Sequence, residues 1–326
     1  MAKQIQMICK GERMCVVKRV LGLLVTFALI FSSGCNQIQE SIHADDDTVR
    51  VVTSFYPIYL LTMAAAEGVS GIHVENMAQP ETGCLHDYEL TTADMKKLEN
   101  ADMLIINGGG MEHFLDKVIE RYPDLVIVDT SEGIALIADD GHAHDHDLGV
   151  GLGLGEHIHE ENAHIWLLPA HAARQVETIA EALIALHPVQ EAVIRENHRD
   201  FAAEAEALYR EASAISAEHI HAGIFHEGFA YFAPLFDIHL IFGIYVEEYS
   251  EPSAQEVVSV IDLAKAEGIR IFLAAEDAGR GYAEMIAGEA GGQVVILNPI
   301  TNGDYNEDYL DLMRENIRVL AGALQE

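Results

Sequence analysis

The strongest constraint on the fold is an alternation of short apolar runs with amphipathic segments, which begins at about residue 49. Short apolar runs are typical of strands buried in a sheet, and the segments between them have the spacing of amphipathic helices. In the first half, strands are predicted at 49–54, 72–77, 103–107 and 125–129, with helices at 58–67, 92–100 and 112–121. Because helices between consecutive strands favour a parallel sheet, this half is predicted to be α/β.

The same alternation returns in the second half, after a long helical stretch. Strands are predicted at 220–225, 239–243, 270–274 and 294–297, with helices at 253–267, 282–290 and 307–324. Between the halves lie a predicted helix at 169–186 and a run at 189–216 with almost no helix breaker. At 1.5 Å per residue, that run would span roughly 40 Å. Two similar α/β halves are therefore predicted, and ligands are expected in a crevice beyond the carboxyl ends of the strands.

Residues 1–34 have the pattern of an export signal. An apolar stretch at 20–31 follows several Lys and Arg residues and precedes Ser-Ser-Gly-Cys at 32–35. Since a bilayer span needs about 20 residues, this stretch is predicted to be a signal peptide. The small residues before Cys35 resemble the lipobox of bacterial lipoproteins, in which the Cys is lipidated; a plain secretory peptide and an uncleaved anchor are the alternatives. The polar residues at 35–47 are predicted to be a flexible tether.

Charge and cysteine content exclude several classes of protein. The chain has 53 Asp and Glu against 19 Lys and Arg, and its net charge of −34 disfavours nucleic-acid partners and favours cations. Cys9 and Cys15 fall in the predicted signal and Cys35 at the predicted lipidation site, so we expect no disulfide framework. Cys84 is interpreted as a small buried apolar residue, with competition for the metal as a thiolate as the alternative.

Histidines at predicted strand ends are the main indication of function, in a chain with 17 histidines. His86 follows the second strand, His164 precedes the helical stretch, and His226 ends a strand of the second half, as does Glu276. Two of these side chains come from each half, so they are predicted to meet in a cleft between the lobes. Three neutral imidazoles and one carboxylate suit tetrahedral Zn²⁺.

The common catalytic motifs are absent from the sequence. A His-Glu-x-x-His zinc site needs histidines four residues apart on a helix, whereas His159 and His164 are five apart in a glycine-rich segment. Nucleophile-elbow, Walker and dinucleotide-binding patterns are also missing. The chain is therefore predicted not to be an enzyme. The alternatives are a metallohydrolase on the same ligands, which would need an open coordination position, and a surface adhesin.

Several short motifs surround the predicted ligands. They are His-Asp-Tyr-Glu at 86–89, His-Ile-Trp-Leu-Leu-Pro at 164–169, His-x-x-Phe-x-Tyr at 226–231, Glu-Pro-Ser at 251–253 and Leu-Asn-Pro at 297–299. These motifs resemble those of the metal-binding lipoproteins of bacterial ABC importers, the cluster A-I or TroA-like family, in its ZnuA-like or AdcA-like zinc branch. The chain departs from the family pattern at Cys84, at Ala163 and at Asn298, where the family usually has Pro at the second of these positions and Asp at the third.

The resemblance implies a fold. Members of the family have two lobes, each with a four-stranded parallel sheet, joined by one long rigid helix, which the run at 189–216 fits. The implied boundaries are 48–168 for the N-terminal α/β lobe, 169–217 for the helical linker and 218–326 for the C-terminal α/β lobe.

The resemblance also implies the metal and its ligands. Manganese members of the family carry Glu where His226 stands here, and imidazole favours zinc. The implied ligands of Zn²⁺, which is the transported cargo, are therefore His86, His164, His226 and Glu276. Asp277 or water is the alternative to Glu276, and a manganese receptor is the alternative function.

A loop rich in glycine and histidine at 139–162 interrupts the first half. Its histidines are His142, His144, His146, His157 and His159. Zinc members carry a similar loop, which implies auxiliary metal capture, while a merely solvated acidic loop is the alternative. His219, His221 and His239 lie on or beside predicted strands and are interpreted as structural.

Partners and location follow from the resemblance as well. It implies an extracytoplasmic receptor, lipid-anchored at Cys35, that delivers zinc to an ABC permease driven by a cytoplasmic ATPase. The receptor is expected to be a monomer that touches the membrane through its lipid only and binds no nucleic acid.

Overall fold

The computed structural model describes residues 48–85, 88–138, 161–215, 220–244, 252–276 and 279–325. Within these residues the strands are β1 (Val49–Thr53), β2 (Ile72–Asn76), β3 (Met103–Ile106), β4 (Val126–Asp129), β5 (Ile137–Ala138), β6 (Glu161–Asn162), β7 (His221–Ile224), β8 (His239–Gly243), β9 (Ile271–Ala274) and β10 (Gln293–Ile296). The α-helices are α1 (Tyr56–Ala66), α2 (Thr92–Glu99), α3 (Leu115–Arg121), α4 (Pro169–Leu186), α5 (Glu191–Ser213), α6 (Phe229–Phe232), α7 (Ala254–Ala266), α8 (Arg280–Ala290) and α9 (Tyr309–Ala323).

Two four-stranded sheets form the centres of two lobes. The strand order is β2-β1-β3-β4 in the first sheet and β10-β9-β7-β8 in the second. Neighbouring strands pair in parallel throughout both sheets. The predicted fold class, two lobes with a four-stranded parallel sheet each, is therefore confirmed.

Local sequence explains why these elements form where they do. All four residues of β3 and all four of β9 are buried, as continuous apolar runs in interior strands of parallel sheets should be. A capping box of Thr91 and Asp94 begins α2, and one of Ser253 and Glu256 begins α7. The helix predicted at 112–121 begins only at Leu115, because Glu112 instead accepts hydrogen bonds from the preceding loop.

The long helix α5 is shorter than the predicted 189–216. It has 23 residues, about 35 Å at 1.5 Å each. Residues Pro188–Gln190 form a separate 3₁₀ turn before it, because proline lacks the amide hydrogen and begins a helical segment rather than continuing one. The helix contacts α1 in the first lobe and α9 in the second. It therefore braces both lobes along one side.

The hydrophobic core runs without a break from one lobe to the other. One buried cluster includes β1 and β3 of the first lobe, both linking helices, and α9 of the second lobe. Trp166 lies fully buried in it; its Nε1 donates to the Pro299 carbonyl at 2.9 Å, and its own carbonyl accepts from the Tyr309 hydroxyl at 2.6 Å. The lobes are thus held together next to the predicted ligand His164.

The predicted signal, tether and lipidation site at 1–47 lie outside the described residues. Among the helices that the structure describes, none is both long enough and apolar enough to span a membrane.

Candidate metal centre

His164 lies at the junction of the two lobes, between β6 and a 3₁₀ turn at Ile165–Leu167. Its side chain is almost entirely buried. Gly228 of the second lobe packs directly against it, since a Cβ atom at 228 would come within 2.6 Å of Leu167 and 3.0 Å of the His164 Cβ. Only glycine therefore allows this close approach.

The imidazole of His164 is held in one orientation by two acceptors. Its Nδ1 lies 3.1 Å from the Asn162 side-chain oxygen and 3.0 Å from a carboxylate oxygen of Glu227. Since both neighbours accept hydrogen bonds, Nδ1 carries a proton and Nε2 faces the site. This arrangement fixes the nitrogen that a metal would bind, as outer partners of metal-binding histidines commonly do.

His226 lies just beyond the carboxyl end of β7, as predicted. Its ring centroid is 4.9 Å from that of His164, with the ring planes nearly perpendicular. The Gly228 amide donates to its Nδ1 at 3.1 Å. A neutral ring in this state carries its proton on Nε2, so a metal can bind Nε2 only after that proton moves to Nδ1 and the hydrogen bond from Gly228 is lost.

Cys84, on the loop after β2, lies beside both histidines, and the three residues Cys84, His164 and His226 form the Cys84 group. Its Sγ lies 3.3 Å from Nε2 of His164 and 3.8 Å from Nε2 of His226. The candidate ligand atoms of the three residues all lie within 4.8 Å of one another. Among the described His, Cys, Asp and Glu residues, this is the one group of three or more that is close enough to hold a metal ion.

The electrostatics of the group favour a proton on His164 when no metal is bound. Burial lowers the pKa of His164, but the negative charge of Cys84 and its hydrogen bond outweigh burial, with a smaller contribution from Glu227. Together they raise the pKa to about 9. A metal that binds at neutral pH must therefore displace a proton from this ring.

Glu276, the predicted carboxylate ligand, lies beyond the carboxyl end of β9 and is not part of the Cys84 group. Its side chain is 71% exposed, and both of its oxygens accept from Nη1 of Arg280, at 2.5 and 2.6 Å. It lines an open cavity of about 380 Å³ together with Asn298 and Asn316. In this structure its carboxylate is thus paired on the surface with the guanidinium of Arg280.

Other predicted site residues lie outside the described part of the chain. They are His86, Asp277, and the loop histidines His142, His144, His146, His157 and His159. The described residues on either side of 139–160 form β5 and β6, which pair antiparallel. His221 and His239, interpreted as structural, face each other on β7 and β8 with ring centroids 5.7 Å apart.

Two residues to which sequence analysis gave no role, Asn162 and Glu227, hold His164. The side chain of Asn162 also donates to the Glu227 carbonyl at 2.9 Å, which ties the two lobes together at the site. Only their positions in the sequence could have indicated these roles. Asn162 precedes the predicted ligand His164 by two residues, and Glu227 directly follows the predicted ligand His226. A short polar side chain such as that of Asn162 commonly bonds to backbone groups a few residues away, as it does here to the His164 amide.

A buried polar network supports the chain just before His164. Asn107, at the end of β3, donates from its side chain to the Ala163 carbonyl at 2.8 Å. Its backbone amide and that of Gly108 donate to the carboxyl group of Glu112, at 2.8 and 3.0 Å. Burial raises the pKa of Glu112 to about 7, although these amides oppose the rise. The first lobe thereby fixes the backbone that carries His164.

The chain matches one family model over nearly all of its described length. The model, ZnuA, is described as "Zinc-uptake complex component A periplasmic", and it matches residues 51–323. That match includes every residue of the Cys84 group.

Curated relatives and a solved structure agree with this match. Zinc-binding protein AdcA of Streptococcus pyogenes serotype M1 is 24% identical over 318 residues, which cover 93% of this chain and 61% of AdcA. High-affinity zinc uptake system protein ZnuA of Bacillus subtilis (strain 168) is 27% identical over 324 residues, which cover 94% and 98%. The chain thus spans about three fifths of the length of AdcA. A crystal structure of ZnuA superposes with a TM-score of 0.69 at 25% identity and covers 85% of this chain and 99% of its own.

Proposed function

Since this chain belongs to the ZnuA family, whose model matches most of its length, we propose that it is an extracytoplasmic receptor that binds Zn²⁺ for an ABC importer. The observation that carries the proposal is the pairing of two imidazoles from different lobes, with Nε2 of the buried His164 turned toward His226 and away from its own anchors. Two imidazoles that face each other in this way can bind one metal ion, and imidazole nitrogen favours zinc over manganese.

The proposed ligand set keeps the residues that the sequence indicates. His164 and His226 supply two nitrogens, and His86 follows Cys84 by two residues on the loop after β2. Glu276 supplies a carboxylate only if it leaves Arg280, so its binding requires a local movement at the end of β9. A set of this kind sequesters the ion rather than activating water, which favours a binding protein over a metallohydrolase.

Delivery is proposed to depend on small movements near the site. The lobes share one hydrophobic core, and α5 contacts both of them, which opposes a wide hinge. Movement of Glu276, or of the ring of His226 away from the Gly228 amide, would instead open one side of the coordination sphere. The permease of an ABC importer, driven by its cytoplasmic ATPase, is the proposed recipient.

Location is proposed from the amino-terminal sequence. The signal pattern at 1–34 and the lipobox-like residues before Cys35 support export and a lipid anchor at Cys35. A receptor tethered in this way keeps its metal site close to the permease without a membrane-spanning helix. The auxiliary role of the histidine-rich loop in capturing zinc is likewise a proposal.

Metal competition tests the proposed function. The purified chain is stripped with a chelator, and one equivalent each of Zn²⁺ and Mn²⁺ is added. We expect zinc at one tight site and manganese left in solution. A protein that retains manganese preferentially contradicts the zinc assignment, and one that retains neither ion contradicts the receptor assignment. Hydrolysis of ester or phosphate substrates by the zinc-loaded protein would instead support an enzyme.

A further inference from the structure

We infer that Cys84, rather than the exposed Glu276, supplies a ligand to the same metal ion, as a thiolate, so that the described residues contribute one sulfur and two imidazole nitrogens. The inference rests on the proposed function, because it concerns the ion bound at that site. The sequence favours a small apolar role for Cys84 and leaves a thiolate ligand as the alternative; the inference adopts that alternative.

The distances around Cys84 match a zinc coordination sphere. With Zn–S at about 2.3 Å and Zn–N at about 2.0–2.1 Å, a tetrahedral site places sulfur about 3.5 Å from each nitrogen. The two measured separations from Sγ, 3.3 Å to His164 and 3.8 Å to His226, lie on either side of that value. An ion placed among the three atoms therefore needs only small side-chain adjustments.

The loop that carries Cys84 is anchored on both sides, which gives the sulfur a defined position. The Met77 and Ala78 amides continue the β1 pairing by donating to the carbonyls of Thr53 and Ser54. Leu85, the next residue after Cys84, is fully buried in the core. The sulfur is thus presented by a fixed backbone rather than by a free loop.

A thiolate changes which metals the site prefers. Sulfur is a soft donor that favours zinc and cadmium, whereas manganese prefers carboxylate, carbonyl and water oxygens. Cys84 also lies beside both imidazoles, while Glu276 is exposed and bonded to Arg280. The thiolate is therefore the main determinant of discrimination against manganese at this site.

Cadmium spectroscopy separates ligation from a mere hydrogen bond between Cys84 and His164. The full chain has four cysteines, and three of them are changed to Ser: Cys9, Cys15 and Cys35. Cys84 is then the only thiol. Addition of Cd²⁺ should give an ultraviolet thiolate-to-metal charge-transfer band that saturates at one equivalent. The histidine-rich loop contains no sulfur and so contributes nothing to this band.

Variants at Cys84 extend the test to affinity. Cys84→Ser should abolish the band and weaken zinc binding at least about tenfold, or about 1.4 kcal/mol, with manganese binding unchanged. Cys84→Asp supplies an oxygen donor in place of sulfur and should narrow the preference for zinc over manganese. The parent chain is the one in which Cys84 is the only remaining cysteine. If neither variant folds, the charge-transfer band of this parent chain decides whether Cys84 is a ligand.

Two results would overturn the inference. The first is one equivalent of cadmium bound by the parent chain without a charge-transfer band, which would leave zinc reception intact and remove Cys84 from the ligands. The second is unchanged zinc affinity in folded Cys84→Ser. A parent chain that binds neither zinc nor cadmium would instead overturn the proposed function, and this inference with it.

Discussion

His164 and Glu276 are both predicted ligands, yet they differ in burial and in how their side chains are held. His164 is buried, and its Nδ1 is held by Asn162 and Glu227 so that Nε2 faces two other donor atoms. Glu276 is 71% exposed, and Arg280 occupies both of its oxygens. The His164 ring is already oriented for metal binding, whereas the Glu276 carboxylate must leave the guanidinium of Arg280 before it can bind a metal.

This difference indicates which side of the site determines metal affinity and which side determines metal release. A side chain locked by packing and outer hydrogen bonds loses little freedom on binding, so its full interaction with the metal contributes to affinity. An exposed carboxylate in a surface ion pair is held only weakly by its partner, because such a pair adds little free energy to the folded state. The His164 side of the site should therefore determine affinity, and the Glu276 side should determine how the ion enters and leaves.

The largest effect is expected from His164→Ala. Loss of the preorganised nitrogen should weaken zinc binding at least about a hundredfold, or about 2.7 kcal/mol. His239→Ala is the matched control, because that histidine is exposed on β8, away from the Cys84 group. The comparison is measured by titration with a chromophoric chelator, and equal affinities for the two variants would mean that His164 is not a ligand.

The next effect is on pH dependence. An ordinary imidazole pKa of about 6.5 would confine proton competition to acidic solution. Because the pKa of His164 is about 9, zinc must displace its proton throughout the range from 6.5 to 9. The apparent affinity should therefore rise about tenfold for each pH unit over this range. A flat affinity between pH 7 and pH 9 would contradict the proton held by Cys84 and Glu227.

A smaller effect is expected from Glu227→Gln, which removes the charge that faces Nδ1 of His164. Outer partners of metal ligands typically contribute about ten- to a hundredfold in affinity, so the pH-independent zinc affinity should fall about tenfold. The same change should lower the pKa of His164, so the pH range over which zinc affinity rises with pH should end at a lower pH. Glu161→Gln, on the nearby strand β6, serves as a control for charge alone. Identical pH profiles for the two variants would show that Glu227 does not orient the ring.

Glu276→Gln should have a still smaller effect. Exposed ion pairs are worth little, so we expect the zinc affinity to change by less than about threefold, whereas the zinc dissociation rate should change measurably. Stopped-flow transfer of zinc to a chelator measures that rate. A loss of affinity as large as that of His164→Ala would show that Glu276 enters the coordination sphere as firmly as the histidine.

The smallest effect on the tight site is expected from deletion of the histidine-rich segment at 141–159. A loop that must lose conformational entropy to hold a metal binds it weakly, so the deletion should remove only zinc equivalents beyond the first. Isothermal titration counts these equivalents. Loss of the first equivalent would place a loop histidine in the tight site and would remove Glu276 from the proposed ligand set.

The sequence predicted the fold better than it predicted the surroundings of the metal. Period and apolar runs placed the strands of both sheets within about two residues, because burial in a parallel sheet is a local and repetitive signal. The short helix α6 was missed, since its four residues, three of them aromatic, have no recognisable cap. The long helix was overestimated at its start because Pro188 opens a separate turn.

The donor group at the cleft depends on contacts across the lobes, which no local pattern reveals. Cys84 and His226 are 142 residues apart in the chain yet 3.8 Å apart between Sγ and Nε2. A single cysteine is usually a small buried apolar residue, and the position of Cys84 beside two imidazoles is what favours the alternative of a thiolate ligand. The orienting role of Glu227 is hidden for the same reason, because its partner lies in the other lobe.

Anomalous diffraction at the zinc edge, from crystals of the zinc-loaded protein, tests the central claim most directly. We expect one dominant peak within about 2.0–2.3 Å of Sγ of Cys84 and Nε2 of both His164 and His226. A dominant peak elsewhere, with those three atoms still bonded only to one another, would contradict the central claim.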